Sequence, residues 1–193
     1  MLKIQGLIKS PIYKNSTEKL ADRLIFLKIK KRKWGEIEHN FTIINTKSQK
    51  AVGSMICIPS KVYRKDLGEV NSLYIAYLSA IKNMGQGIGS VLFNLAKIYS
   101  KQIGCDGNIH LDSSGCILPN KAPHIFYRKL GMSSNSLKID QRIDKYIRNG
   151  KFMSKEEIPV LRMYYPPIAN ATTKTPLYRK FLLHLKGYFA LRI

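Results

Sequence analysis

Apolar positions along the chain change period several times, and each change marks an element. LIFLKIK (residues 24–30) alternates apolar and basic residues towards its end, which predicts a strand. The charged run KKRKWGEIEH separates it from two β-rich runs, FTIIN (41–45) and AVGSMICI (51–58). Only the polar TKSQK lies between these two, so they predict a hairpin. PSKVYRKDLGE (59–69) reads as a long basic loop, and SLYIAYLSAI (72–81), apolar on both faces, as a central buried strand. The period then changes. Ile88, Val91, Leu92, Leu95, Ala96, Ile98 and Tyr99 recur at helical spacing, so 88–102 is an amphipathic helix, ended by Gly104.

NIHLDSS (108–114) alternates as a strand, and PHIFYRKLG (123–131) is a short helix with Pro123 in its first turn and Gly131 as its stop. In the polar stretch that follows, Ile139, Ile143, Tyr146 and Ile147 mark a helical middle, and VLRMYYP (160–166) is a last strand. No internal repeat and no domain boundary stands out.

At 193 residues and 45% apolar content, the chain is sized for one domain with a sizeable core. No apolar run approaches the roughly 20 residues of a membrane span. The amino terminus, MLKIQGLIKSPIYK, lacks a long apolar core and a small-residue cleavage site, so no signal peptide is expected. Cys57, Cys105 and Cys116 form no CxxC pair, which fits reduced thiols in the cytoplasm and no metal site. Charge is the outlier. Thirty-three Lys and Arg face 12 Asp and Glu, a net +21. That is either a lysine-rich solvated surface or a surface held near a polyanion such as RNA, DNA or anionic lipid.

Between the central strand and the helix lies NMGQGIGSVLF (83–93), with Gly85, Gly87 and Gly89 at alternate positions. A strand, a glycine-rich turn and a helix N-terminus make an anion site, because main-chain N–H groups and the helix dipole converge there. Without Cβ atoms the turn admits a pyrophosphate to the backbone. The spacing is GxGxG, neither the GxGxxG of a dinucleotide fold nor the Gly-Lys-Ser/Thr of a Walker A loop.

The second informative stretch is NKAPHIFYRKLGM (120–132). It resembles the Asn-x-x-Ala-x-x-Phe-Tyr-x-Lys-x-Gly-Phe signature of the GNAT superfamily of acyl-CoA-dependent N-acetyltransferases. MGQGIG (84–89) resembles that family's Arg/Gln-x-x-Gly-x-Gly/Ala loop, and the two motifs stand in the family's order. The resemblance covers roughly residues 41–166. It implies an α/β fold, a single domain whose twisted mixed sheet, flanked by helices, is splayed between its fourth and fifth strands, with coenzyme A in the gap. The matching region, 41–166, would be the N-acetyltransferase domain. Residues 1–40 would form an atypical arm and first strand, and 167–193 a basic amphipathic extension.

Carried over residue by residue, the resemblance implies that Leu78, Ser79 and Ala80 offer backbone groups to the pantetheine arm. Gly85, Gln86, Gly87, Ile88, Gly89 and Ser90 would hold the pyrophosphate of acetyl-CoA, and Asn120 would bond the cofactor arm. Tyr127 matches the tyrosine placed near the coenzyme sulfur, where a phenol can protonate the departing thiolate. Three departures stand out. Met84 occupies the usual Arg or Gln position, Pro123 the usual Ala, and only KKRKWGEIEH lies where the family carries a pair of helices.

The implied reaction is direct attack of an amine on the acetyl thioester. Glu69, just before the central strand, is the first candidate for the base, followed by Glu36, Glu38 and His110. Cys57 and Cys116 raise a covalent acyl-enzyme, but no Cys–His pairing is visible and direct transfer needs none. The acceptor is open between an amine carried on RNA, such as an aminoacyl-tRNA, and a small-molecule amine. Two other readings stay beside the enzyme: a non-catalytic module of this fold that binds nucleic acid, and a membrane-surface protein. For the latter, TPLYRKFLLHLKGYFALRI (175–193) reads as an interfacial helix or as a terminal helix docked on the core.

Overall fold

A computed structural model describes residues 23–33, 35–80, 86–114, 123–151, 153–154 and 156–168. Six strands form one sheet in chain order: β1 (Arg23–Lys31), β2 (Ile37–Asn45), β3 (Ala51–Arg64), β4 (Gly68–Ser79), β5 (Ile109–Ser114) and β6 (Val160–Tyr165). The first four are joined as antiparallel neighbours, β4 and β5 run parallel, and β6 returns antiparallel to β5. The described residues also form three helices: α1 (Ile88–Gln102), α2 (His124–Lys129) and α3 (Leu137–Arg148). α1 has the bounds expected from its period, and Gly104, at φ +80°, follows its end.

The connection after β4 explains the parallel pair. A chain that leaves one edge of a strand and returns beside it in the same direction needs a crossover, and α1 supplies it. α1 lies across the face that carries Phe41, Ile43, Met55, Cys57, Leu73, Ile75, Ile109, Leu111 and Met163, all buried. Its Tyr99 meets Phe41 edge-on at 5.0 Å at one end, and its Phe93 meets Tyr165 edge-on at 5.8 Å near the other. One helix thereby clamps β2 to β6. Ile88 seats the first turn of α1 against β3 at Gly53, where an added Cβ would come within 2.4 Å of the Ile88 side chain.

Two sequence expectations change. The basic stretch 59–69 is not a loop: β3 runs on to Arg64, a tight turn follows, and β4 begins at Gly68, which has φ +74°. Pro59 is tolerated because pairing with β2 ends at Cys57, leaving β3 an open edge beyond it. The central strand is also not buried throughout: Tyr77 is 41% exposed, because β4 loses its neighbour on one side. Between β1 and β2 a turn closed by Arg32 and Glu36 takes the place of the family's helix pair. β1 pairs with β2 along its whole length, so residues from 23 onward share the one sheet.

Candidate active site

The site is made by a strand pair that stops. β4 and β5 are paired only at Leu73 with Ile109 and Tyr74 with His110, although both strands continue. Beyond that point β3 and β4 slip register between Ile56 and Cys57: Cys57 faces Ile75 and Ile56 faces Tyr77, leaving Ala76 as the extra residue. A bulge bends its strand and sharpens its twist. β4 therefore turns away from β5, and among the described residues its edge from Ala76 to Ser79 has no strand beside it on that side. This is the splay implied by the resemblance, with Leu78, Ser79 and Ala80 on its wall.

α1 delivers its N-terminus to the same place. A Cβ on Gly53 would meet Leu92 and the Ser79 carbonyl as well as Ile88, so the first turns of α1 and the end of β4 are neighbours. Gly87 is the N-cap, at φ 74°, with no side chain capping the helix and no acid in its first turn. The first N–H groups of a helix lack internal partners, so here they form an uncapped donor cluster with the positive end of the dipole behind it. Gly87 and Gly89 separate by role. At Gly87 a Cβ would meet nothing within 4 Å among the described residues beyond its chain neighbours, and the positive φ favours glycine. At Gly89 a Cβ would come within 2.8 Å of Phe126, so this glycine lets α2 pack on α1. Gln86, Ile88 and Ser90 flank them: Gln86 is exposed in the turn, Ile88 is buried and Ser90 is half-buried. Gly85, Asn120 and Cys116 lie outside the described residues, as does the 175–193 tail.

α2 carries Tyr127, which is partly buried against the core, and its ring packs on Phe126 at 5.1 Å between centroids. Burial pushes the Tyr127 phenol up to about 12, so it stays protonated. α2 is fixed from below by His124, whose Nε2 donates to the Ile158 carbonyl at 2.7 Å while Nδ1 accepts from the Ser113 hydroxyl at 2.7 Å.

On the opposite face of the parting lies a polar cluster that pattern reading missed apart from His110. His110 Nδ1 is 2.9 Å from the Ser72 hydroxyl, and its ring lies against Tyr74 at 5.0 Å. Asp112 accepts two hydrogen bonds from Arg162, at 2.7 and 2.9 Å, and also bonds the Tyr74 side chain. Burial first, then the Arg162 charge, hold His110 at about 4. His110 is therefore an unprotonated imidazole throughout the neutral range.

Other candidates are not brought to the parting. Glu69 stands at the start of β4, ten residues and roughly 30 Å of strand from Ser79. Its carboxylate pairs with Lys61 at 2.8 Å and is 64% exposed. Glu36 and Glu38 belong to the β1–β2 end, where both pair with Arg32. Cys57 is fully buried and its thiol is pushed up by burial, which leaves it inert. Among the described residues no group of three or more His, Cys, Asp or Glu side chains could hold a metal ion. No described helix is long and apolar enough to cross a membrane.

The buried histidines give a stability prediction. His39, His110 and His124 all have their protonation disfavoured by burial. The unfolded chain binds these protons more readily, so their contribution is complete above the unfolded value near 6.5 and is lost as pH falls towards the folded value. Between pH 7 and pH 5, His110 alone should cost ~2 kcal/mol of unfolding free energy. Urea melts at the two pH values test this, and equal stability at both would exclude buried neutral histidines.

No protein-family model matches this chain, and neither does any curated protein. Solved structures of similar course include a bacterial toxin, 14% identical over 66% of this chain and 66% of that one, just under two thirds of its length, with a TM-score of 0.43. A Bacillus subtilis acetyltransferase in complex with CoA is 14% identical over 66% of this chain and 75% of that one, with a TM-score of 0.41. A mutant of the Vibrio cholerae spermidine N-acetyltransferase SpeG is 18% identical over 66% and 63% respectively, with a TM-score of 0.39. The chain's own strand order, the parallel pairing of β4 with β5 and the parting of these two strands make a splayed mixed sheet, the arrangement that the sequence resemblance implies.

Proposed function

We propose that this chain is an N-acetyltransferase that moves the acetyl group of acetyl-CoA directly onto a primary amine. The observation that carries the reading is the parting of β4 from β5 immediately beside the uncapped, glycine-led N-terminus of α1. A released strand edge suits the amide-rich pantetheine arm, which can pair with Leu78, Ser79 and Ala80 as an added strand would. The pyrophosphate then falls on the N–H groups from Gly87 to Ser90, with Gln86 in the same turn; Gly85 and Asn120, which lie outside the described residues, are assigned to the pyrophosphate and the cofactor arm by the resemblance alone.

The amine nitrogen attacks the acetyl carbon, and the carbonyl oxygen takes up charge beside main-chain N–H groups near Leu78 and Ala80. Collapse forms the amide and breaks the carbon–sulfur bond. Coenzyme A leaves as a thiolate, and Tyr127 supplies its proton. The nitrogen loses one proton in the same step, and we assign its uptake to neutral His110, beside Tyr74. The acceptor is a primary amine, free or carried on RNA.

Isothermal titration with acetyl-CoA, followed by thiol-release assays over a panel of primary amines, tests the reading. Saturable binding and amine-dependent thiol release are expected. Absence of binding would remove the site assignment, and binding without release on any amine would make the fold a non-catalytic module.

A further inference from the structure

We propose that the solvent face of α3 is a docking surface for the phosphodiester backbone of a nucleic acid. Lys138, Arg142, Lys145 and Arg148 are all exposed on this helix, and exposed Lys151 follows its C-cap, Asn149. Ile139, Ile143 and Ile147 pack into the core on the other side. The helix's two acids are withdrawn from the outer face. Asp140, fully buried, accepts from the Ser134 N–H at 2.9 Å, and Asp144 takes two bonds from Arg128 at 2.8 Å. Only Arg142 of the five cations is neutralised, by Glu157; among the described residues Lys138, Lys145, Arg148 and Lys151 have no carboxylate partner.

Helix-dipole compensation accounts for cations in the last turn but not for Lys138, which sits in the first turn, where a positive charge is disfavoured. From Lys138 to Arg148 the stripe runs about 15 Å along the axis, over which one B-form strand presents about four phosphates. Arg142, Lys145, Tyr146, Asn149 and Lys151 line a cavity of about 270 Å³, which gives one phosphate a recessed seat. A lipid surface fits less well. A helix lying on a membrane must turn an apolar face outward, whereas the apolar face of α3 is spent on the core. The net charge of +21 adds long-range attraction for any polyanion.

The proposal does not rest on acyl transfer. Its test is fluorescence anisotropy of the full chain with a short RNA duplex and its DNA counterpart, and pelleting with phosphatidylserine vesicles, each over a salt series. The triple variant Lys145→Gln/Arg148→Gln/Lys151→Gln is compared with Lys28→Gln/Lys30→Gln/Lys50→Gln, which has the same net charge. The α3 variant should lose about 2 to 3 units of log–log salt slope on DNA, at about 0.9 per phosphate contact, while the control keeps most of its slope. Tighter binding of one duplex identifies the source, and either supports the proposal. Equal losses in the two variants, salt-insensitive or absent duplex binding, or binding of vesicles alone would overturn it. Acetyl-CoA titration of the same variants should be unchanged, so that failure of the docking surface and failure of the acyl-donor site are read separately.

Discussion

Gly87→Glu should abolish acetyl-CoA binding, raising its Kd by ~100-fold or more, equivalent to ~2.7 kcal/mol. At φ 74° a side chain adopts the left-handed region, which costs about 1–2 kcal/mol for an L-residue. Beyond the two chain neighbours, no atom of the described residues lies within 4 Å of the new Cβ, so they offer no steric reason to misfold. The carboxylate instead occupies the space in front of the first helical N–H groups and is stabilised there by the same dipole that would receive a pyrophosphate. Substitution therefore trades the ligand for an internal anion. Gly89→Ala should behave differently. Its methyl would come within 2.8 Å of Phe126 and push α2 off α1, lowering thermal stability as well as affinity. Calorimetry and melting curves of the two variants separate the roles. Unchanged affinity in Gly87→Glu would remove the pyrophosphate seat from this turn.

The comparison of Gly87 with Gly89 shows what the sequence could and could not reveal. Glycine density announced a close approach, but it could not distinguish a seat for a ligand from a seat for Phe126, because the two need the same missing atom. The α1 boundaries were legible because helical period, glycine turn and Gly104 agree. The β3–β4 hairpin was hidden by a buried charge. Val62 and Arg64 point inward between exposed Lys61, Tyr63 and Lys65, and Arg64 is 2% exposed because Asp66 and Asn108 satisfy its guanidinium. Strict apolar alternation fails wherever such a residue takes a core position. Glu69 shows a different limit of sequence distance. It is close in sequence to the central strand, but the strand runs away from it, towards the parting. Tyr74 and His110 are far apart in the chain and meet only through the parallel pairing that ends there. No local pattern records that pairing.

Tyr127→Phe should lower turnover by roughly 10²- to 10⁴-fold while leaving acetyl-CoA affinity close to that of the parent, since ring packing on Phe126 is kept and only the proton donor is lost. Burial holds the phenol at about 12, and a thiol ordinarily titrates near 8.5, so in water the transfer from Tyr127 to a thiolate would be uphill. In the gap both groups are desolvated. An emerging thiolate there is destabilised as an anion in the same way that burial disfavours the phenolate, which brings the two affinities for the proton together. The hydroxyl can then stabilise the leaving sulfur by hydrogen bonding before the proton moves. The rate of the parent should rise with pH as the acceptor amine deprotonates, with no falling limb from Tyr127 below about pH 11, because the donor stays loaded. Tyr127→Phe should show the same rising limb at a lower level. Single-turnover thiol release reads this step apart from product dissociation. An undiminished rate in the variant would make Tyr127 a packing residue and leave water to protonate the thiolate.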